Sequence, residues 1–179
     1  KSWVPWYNLH KTFAGLRDAW LYGNSQEAKD MFLKLCDWGI DIISPLNEKQ
    51  MEEMLSNEFG GMAEVYADAY QIMKNAQYLK AAKRFSHKWL LNSMAAGKDN
   101  LDNKHANTQV PKAVGYQRIA ELTNDTTYTT AATFFWNRVV NHRSLSLGGN
   151  SRREHFPEKD DCISYAEERE GPETCNTYN

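Results

Sequence analysis

Three helix-sized stretches of this chain turn back at an asparagine, and the turns recur at a nearly fixed interval. Tyr22-Gly23-Asn24-Ser25, Met73-Lys74-Asn75-Ala76 and Leu122-Thr123-Asn124-Asp125 put the asparagines 51 and 49 residues apart. A tryptophan follows 14 residues after the first two (Trp38, Trp89) and 12 after the third (Trp136). A helix–turn–helix unit repeated about every 50 residues cannot bury its apolar face alone. Stacking the units buries it, as an open solenoid or a closed toroid of αα-hairpins. The fold class that follows is all-α.

Apolar residues recur at helical spacing through most of the sequence and predict helices near 8–22, 26–43, 48–55, 60–74, 77–94, 110–123 and 126–141. In the first, Leu9, Phe13, Leu16, Ala19 and Trp20 share a face. In the second, Ala28, Met31, Phe32, Leu35, Trp38 and Ile42 do, and Ser25 is placed to cap it. Cys36, between Leu35 and Trp38, reads as a buried small hydrophobe. The stretch Gly97–Lys104 reads as a plain polar connector.

Composition removes several classes of function. The 179 residues carry 21 basic and 23 acidic side chains, a formal net charge of -2, which gives no electrostatic footprint for nucleic acid or an acidic membrane surface. No apolar run approaches the ~20 residues needed to span a bilayer. Three cysteines do not describe a disulfide framework, and Cys162 and Cys175 match no zinc-knuckle spacing. There is no phosphate-binding loop, dinucleotide fingerprint, HExxH or nucleophile elbow. Six Trp, nine Tyr and seven Phe suit both a packed core and a sugar-binding cleft.

If the asparagine turns share one rim, the opposite rim gathers the beginnings of the first helix of each unit. Asn8 and His10 lie there, then Asn57, Glu58, Gly60 and Gly61, then His105, Asn107 and Gln109. Pro172 predicts the next such helix, since proline fits the first helical position. Glu173 and Cys175 then fall in its first turn, where the helix dipole favours anions and lowers a thiol pKa; a carboxylate and a thiolate there suit a thiophilic metal such as zinc. Between them, 142–171 is too long for a simple connection, and loops beyond ~12–15 residues are usually functional or disordered. Most of its carboxylates read as solvated, Glu154 excepted.

The stretches LGGNSRREHF, EGPETCNTYN, VPWYNLHKTFAGLRDA, NEFGGMAEVYADAY and HANTQVPKAVGY closely resemble the β-L-arabinofuranosidases of glycoside hydrolase families 127 and 146, nearer the latter. The likeness runs over essentially all 179 residues. It implies an (α/α)6 catalytic barrel, of which 1–179 would be about half, truncated at both ends. It implies a retaining exo-glycosidase that releases L-arabinose from terminal β-L-arabinofuranosides of plant glycans, with a carbohydrate substrate, no nucleic-acid or membrane partner, and an oligomeric state left open. By the same resemblance Glu154 falls on the acid/base, Glu173 and Cys175 on zinc ligands, and His10, Glu58 and His105 on sugar-contacting positions. The other two zinc ligands are adjacent cysteines, one of them the nucleophile, outside this sequence, so the zinc site here is incomplete and this piece alone is expected to be inactive. Arg152 and Arg153 should point away from Glu154 or hold substrate. Use of plant glycans implies export from a bacterial cell. The competing expectations are a non-catalytic helical toroid that binds glycans or a protein, and another glycan-active (α/α)6 enzyme.

Overall fold

The computed structural model describes residues 4–161, 163–164, 166–167, 169 and 171–172. Among these it is all-helical, with α1 (Pro5–Leu21), α2 (Gln26–Ile43), α3 (Glu48–Asn57), α4 (Met62–Met73), α5 (Ala76–Arg84), α6 (Lys88–Ala95), α7 (Ala106–Thr123) and α8 (Thr126–Val140). Helix α1 begins three residues earlier than its apolar spacing predicts, because Pro5 takes the first helical position. Ser25 caps α2, its hydroxyl accepting from Ala28 N–H at 3.1 Å. A reciprocal capping box of Asn47 and Gln50, both bonds 2.9 Å, starts α3.

The three hairpins are α1–α2, α4–α5 and α7–α8. Their turns use left-handed residues at Asn24 (φ 54°), Lys74 (φ 57°) and Asn124 (φ 55°). At the middle turn the asparagine has moved on one place: Asn75 caps α5, accepting from Gln77 N–H at 3.0 Å. First helices lie side by side, α4 touching both α1 and α7, and each second helix packs against its own partner. Asp68 of α4 ties the row together by pairing with Arg17 of α1 and, at 2.5 Å, with Arg118 of α7.

Two helices depart from expectation. The segment 77–94 divides into α5 and α6 because Glu52, on α3, accepts from Lys88 N–H (2.8 Å) and Trp89 N–H (2.9 Å). A carboxylate supplied from another helix thus satisfies the first donors of α6, which its own residue His87 does not cap. Helix α7 starts at Ala106 rather than 110 and carries Pro111 inside it, where proline removes the donor to the carbonyl four residues back. The Thr108 carbonyl next to this break accepts from Gly60 N–H at 3.3 Å, joining the α3–α4 turn to α7.

The core runs through all the hairpins. Tyr66 stacks on Phe85 (centroids 5.7 Å), and its hydroxyl donates to the Cys36 carbonyl at 2.9 Å. Cys36 is buried as expected, and burial raises its thiol pKa far out of the physiological range. The buried stripe of α2 is Ala28, Phe32, Cys36, Gly39 and Ile43; Met31, Trp38 and Ile42 flank it and are exposed. No helix among the described residues is long and apolar enough to cross a membrane.

Candidate active site

The loop after α8 returns to the N-terminal end of α7. Phe156 N–H donates to the Lys104 carbonyl (2.9 Å), Asn103 N–H to the Phe156 carbonyl (3.0 Å), and Ala106 N–H to the Glu154 carbonyl (2.8 Å). The last bond fills the orphan donor at the first residue of α7. Arg152 and His155 then close a tight turn with reciprocal backbone bonds of 2.8 and 2.9 Å. Its two central residues both have positive φ, 47° at Arg153 and 66° at Glu154. That is the pattern of a type I′ turn, which favours Asn and Gly and strains Arg and Glu. Strain of this kind persists only where the surroundings impose it, and it concentrates at functional sites.

The surroundings here are the connector 98–104 and one arginine. Arg143 is fully buried and pairs with both oxygens of Asp99 (2.9 and 3.1 Å) and with Asp102, and its Nε donates to the Pro157 carbonyl (3.1 Å). Asp99 and Asp102 belong to the stretch that looks like a plain connector in sequence. Their signal was the DxxD spacing opposite a buried cation, invisible until the fold supplies the arginine.

His105 caps α7 with Nδ1, which accepts from Thr108 N–H (3.2 Å) and lies 2.7 Å from Thr108 Oγ1. With Nδ1 an acceptor, the neutral ring carries its proton on Nε2. That nitrogen faces Glu154 Oε2 at 3.7 Å. The Glu154 side chain is 65% exposed, so the dry wall that a proton donor needs is not provided by the described residues around it.

A file of half-buried rings leads away from Glu154. His155 meets His105 edge-to-face (5.5 Å), His105 meets Phe59 edge-to-face (5.3 Å), and Phe59 meets Tyr7 (4.7 Å). Phe59 follows Glu58, which caps α3, and precedes Gly60 and Gly61, which open α4. Glu58 is buried, one carboxylate oxygen without a partner, the group held by the backbone N–H of Trp6. Burial raises its pKa to about 7, against the lowering influence of that hydrogen bond and of Lys112. His10 lies on Gly61, whose φ is 114° and where a Cβ would sit 2.5 Å from the ring. Burial, reinforced by Lys11 and Arg17, lowers the His10 pKa to about 4, so its ring is neutral.

His10, Glu58, His105 and Glu154 therefore lie at the same end of the three first helices, joined through Gly61, Phe59 and the Ala106 N–H. Neither of two neighbouring cavities includes them: one of about 1000 Å³ runs along α7 and α8, and one of about 680 Å³ is lined by Arg152, Arg153 and His155 with Asp102, Glu158 and Asp161. The second accounts for both arginines, which turn to it. Pro172 sits in a bend; Glu173, Cys175 and the helix expected there, like Cys162, lie outside the described residues. Among the described residues no three His, Cys, Asp or Glu side chains group as a metal site.

The family model of the β-L-arabinofuranosidase GH127 catalytic domain matches residues 1–179. The chain belongs to this family. A comparison with curated proteins returned no match. Membership makes it part of a glycoside hydrolase catalytic domain, with carbohydrate as its substrate class.

Proposed function

We propose that this chain forms about half of the (α/α)6 barrel of a retaining exo-β-L-arabinofuranosidase, which releases L-arabinose from terminal β-L-arabinofuranosides of plant glycans. The observation that carries the site assignment is Glu154, held at positive φ in a tight turn whose carbonyl is fixed to the first N–H of α7. A barrel is supported by the apolar groove along α7 and α8, lined in part by Val114, Trp136 and Val140, which a following hairpin would cover.

In this reading Glu154 is the acid/base. Its carboxyl proton goes to the glycosidic oxygen as the bond to the anomeric carbon breaks, and the carboxylate then takes a proton from the water that releases the sugar. The substrate itself supplies the drying that the exposed side chain lacks. His105, with Nδ1 engaged by the Thr108 N–H, presents Nε2 to that carboxylate at 3.7 Å. From there it orients Glu154. Neutral His10 and the free oxygen of Glu58 are assigned to sugar hydroxyls. The attacking thiolate is assigned to a cysteine outside these 179 residues. Glu173 and Cys175 would hold zinc, which when bound keeps a cysteine ligand deprotonated near neutral pH.

Leaving-group dependence is the test. Glu154→Gln in the full-length protein should lower turnover by about 10²–10⁴-fold on an alkyl arabinofuranoside, the usual worth of acid–base catalysis. The loss should be smaller on a p-nitrophenyl arabinofuranoside, whose leaving group needs little protonation, with metal content unchanged. An equal loss on both substrates, or a loss of metal, contradicts the assignment.

A further inference from the structure

Lys112 is the most enclosed cation at this end of the fold apart from Arg143. It is 1% exposed on α7, and its Nζ meets three acceptors: the Leu55 carbonyl (2.7 Å), His87 Nδ1 (3.0 Å) and Gln109 Oε1 (3.3 Å). Three acceptors match the three donors of an ammonium group and leave none over. Accepting from Lys112 at Nδ1 places the His87 proton on Nε2, which faces Glu52 at 3.7 Å. Glu52 in turn caps α6, and Tyr116 fixes His87 by donating to its carbonyl at 2.9 Å. A single ammonium thus joins the ends of α3 and α6 to the middle of α7.

The turn that follows α3 rests on the same side chain. A Cβ at Gly60 would lie 2.3 Å from the Lys112 backbone nitrogen and 2.8 Å from its Cγ. Glu58, the first residue of that turn, retains a buried oxygen with no partner, although buried polar atoms are nearly always bonded. An isolated structural carboxyl would leave that atom a pure cost. An oxygen kept free next to the Phe59 ring has a use if a ligand hydroxyl donates to it.

We propose that Lys112 is a positioning residue of the candidate active site: its ammonium group clamps the end of α3 and the 58–61 turn to α7 and so sets Glu58 to receive a hydroxyl of the sugar. The inference rests on the glycosidase reading for the identity of the ligand, and on this geometry for the rest. Burial lowers the Lys112 pKa to about 7, with Glu52 and Glu58 acting to raise it, and burial raises Glu58 to about the same value. The groups facing the pair are Glu52 from α3, His87 from the start of α6, and Gln109 and Tyr116 from α7. Burial, aided by Lys112, lowers the His87 pKa to about 3, and so removes it as a competing titration near neutrality.

The test uses Lys112→Met, Glu58→Gln and the double variant of the full-length protein, with p-nitrophenyl β-L-arabinofuranoside as substrate. Each single variant should raise KM by about 10-fold or more, within the ~10²-fold that an ångström of misplacement can cost, with kcat changed little because Glu154 is untouched. The wild-type profile of kcat/KM against pH should show a limb near 7 that both variants lose. The double variant should be no worse than the poorer single one, as for residues acting as a unit. A limb that persists in Glu58→Gln overturns the proposal whether or not Lys112→Met folds, as do losses that multiply. If the wild type does not cleave the substrate, the glycosidase reading fails separately. The clamp is then read from thermal midpoints of the same variants, where additive shifts overturn it and non-additive shifts support it.

Discussion

Gly61→Ala is the most informative single change, because it tests the contact that places His10. Gly61 has φ 114°, a region that residues with a side chain rarely adopt, and its added methyl would meet His10 Cγ and Nδ1 at 2.5 Å. The backbone strain is worth about 1–3 kcal/mol. Overpacking against a ring with no room to retreat adds roughly 1–3 kcal/mol. The smaller entropy of alanine in the unfolded chain returns about 0.4–1 kcal/mol. The net loss is about 1–5.5 kcal/mol, centred near ~3 kcal/mol, and at ~2–4 °C per kcal/mol for a domain of this size that central value lowers the melting temperature by about 6–12 °C. Thermal unfolding followed by circular dichroism measures it. The same substitution should cost less in a His10→Ala background, where the steric part disappears and the backbone part remains. A Gly61→Ala protein within ~0.5 kcal/mol of wild type, or a cost unchanged without the His10 ring, refutes the placement.

Stability should fall as pH drops from 6.5 to about 4.5. The buried rings of His10 and His87 are neutral in the fold and protonate only near 4 and 3, so the unfolded chain binds two more protons there while the folded chain binds one more at Glu58. The net slope is at most about 1.4 kcal/mol per pH unit; a flat profile by denaturant titration contradicts it. From about 7 to 8.5 stability should rise with pH, because the unfolded chain holds the Lys112 proton longer, and Lys112→Met should abolish that rise; at higher pH the buried Cys36 thiol and Tyr66 hydroxyl, whose pKa values burial raises, act in the opposite direction. Glu154→Gly should relieve the strained turn and raise the melting temperature while removing activity, whereas Glu154→Gln should leave it unchanged; a destabilised glycine variant contradicts the strain argument. Asp68→Asn leaves Arg17 and Arg118 facing each other and should cost about 2–4 kcal/mol by chemical denaturation, with a loss below ~0.5 kcal/mol counting against the bridge.

Periodicity made the helices legible in this sequence, and the repeat showed their pairing. Gln26–Ile43 was readable to the residue because Ser25 is a local cap. The division of 77–94 was not, since the carboxylate that permits it comes from Glu52, 36 residues away in sequence from Lys88. Apolar spacing predicted a start for α7 near 110, but His105 caps it earlier and Gly60 takes up the Thr108 carbonyl near Pro111. Site residues carried by local motifs, His10, Glu58, His105 and Glu154, could be nominated from the resemblance. The groups that hold them could not. Lys112 looks like a surface lysine until α3 and the start of α6 close over it, and Arg143 and Asp99 meet only because α6 packs against α8. Tertiary partners of this kind leave no periodic trace.

A family fold that serves hydrolysis of β-linked L-arabinofuranose should release that sugar from a simple β-glycoside. The direct measurement is release of L-arabinose by the full-length protein from p-nitrophenyl β-L-arabinofuranoside, set against the α-anomer, with the anomeric form of the released sugar read by NMR in the first minutes. Cleavage of the β-anomer, with β-L-arabinofuranose as the first product, is the expected result. Preference for the α-anomer, inversion at the anomeric carbon, or turnover of neither substrate by a folded, metal-loaded protein contradicts it.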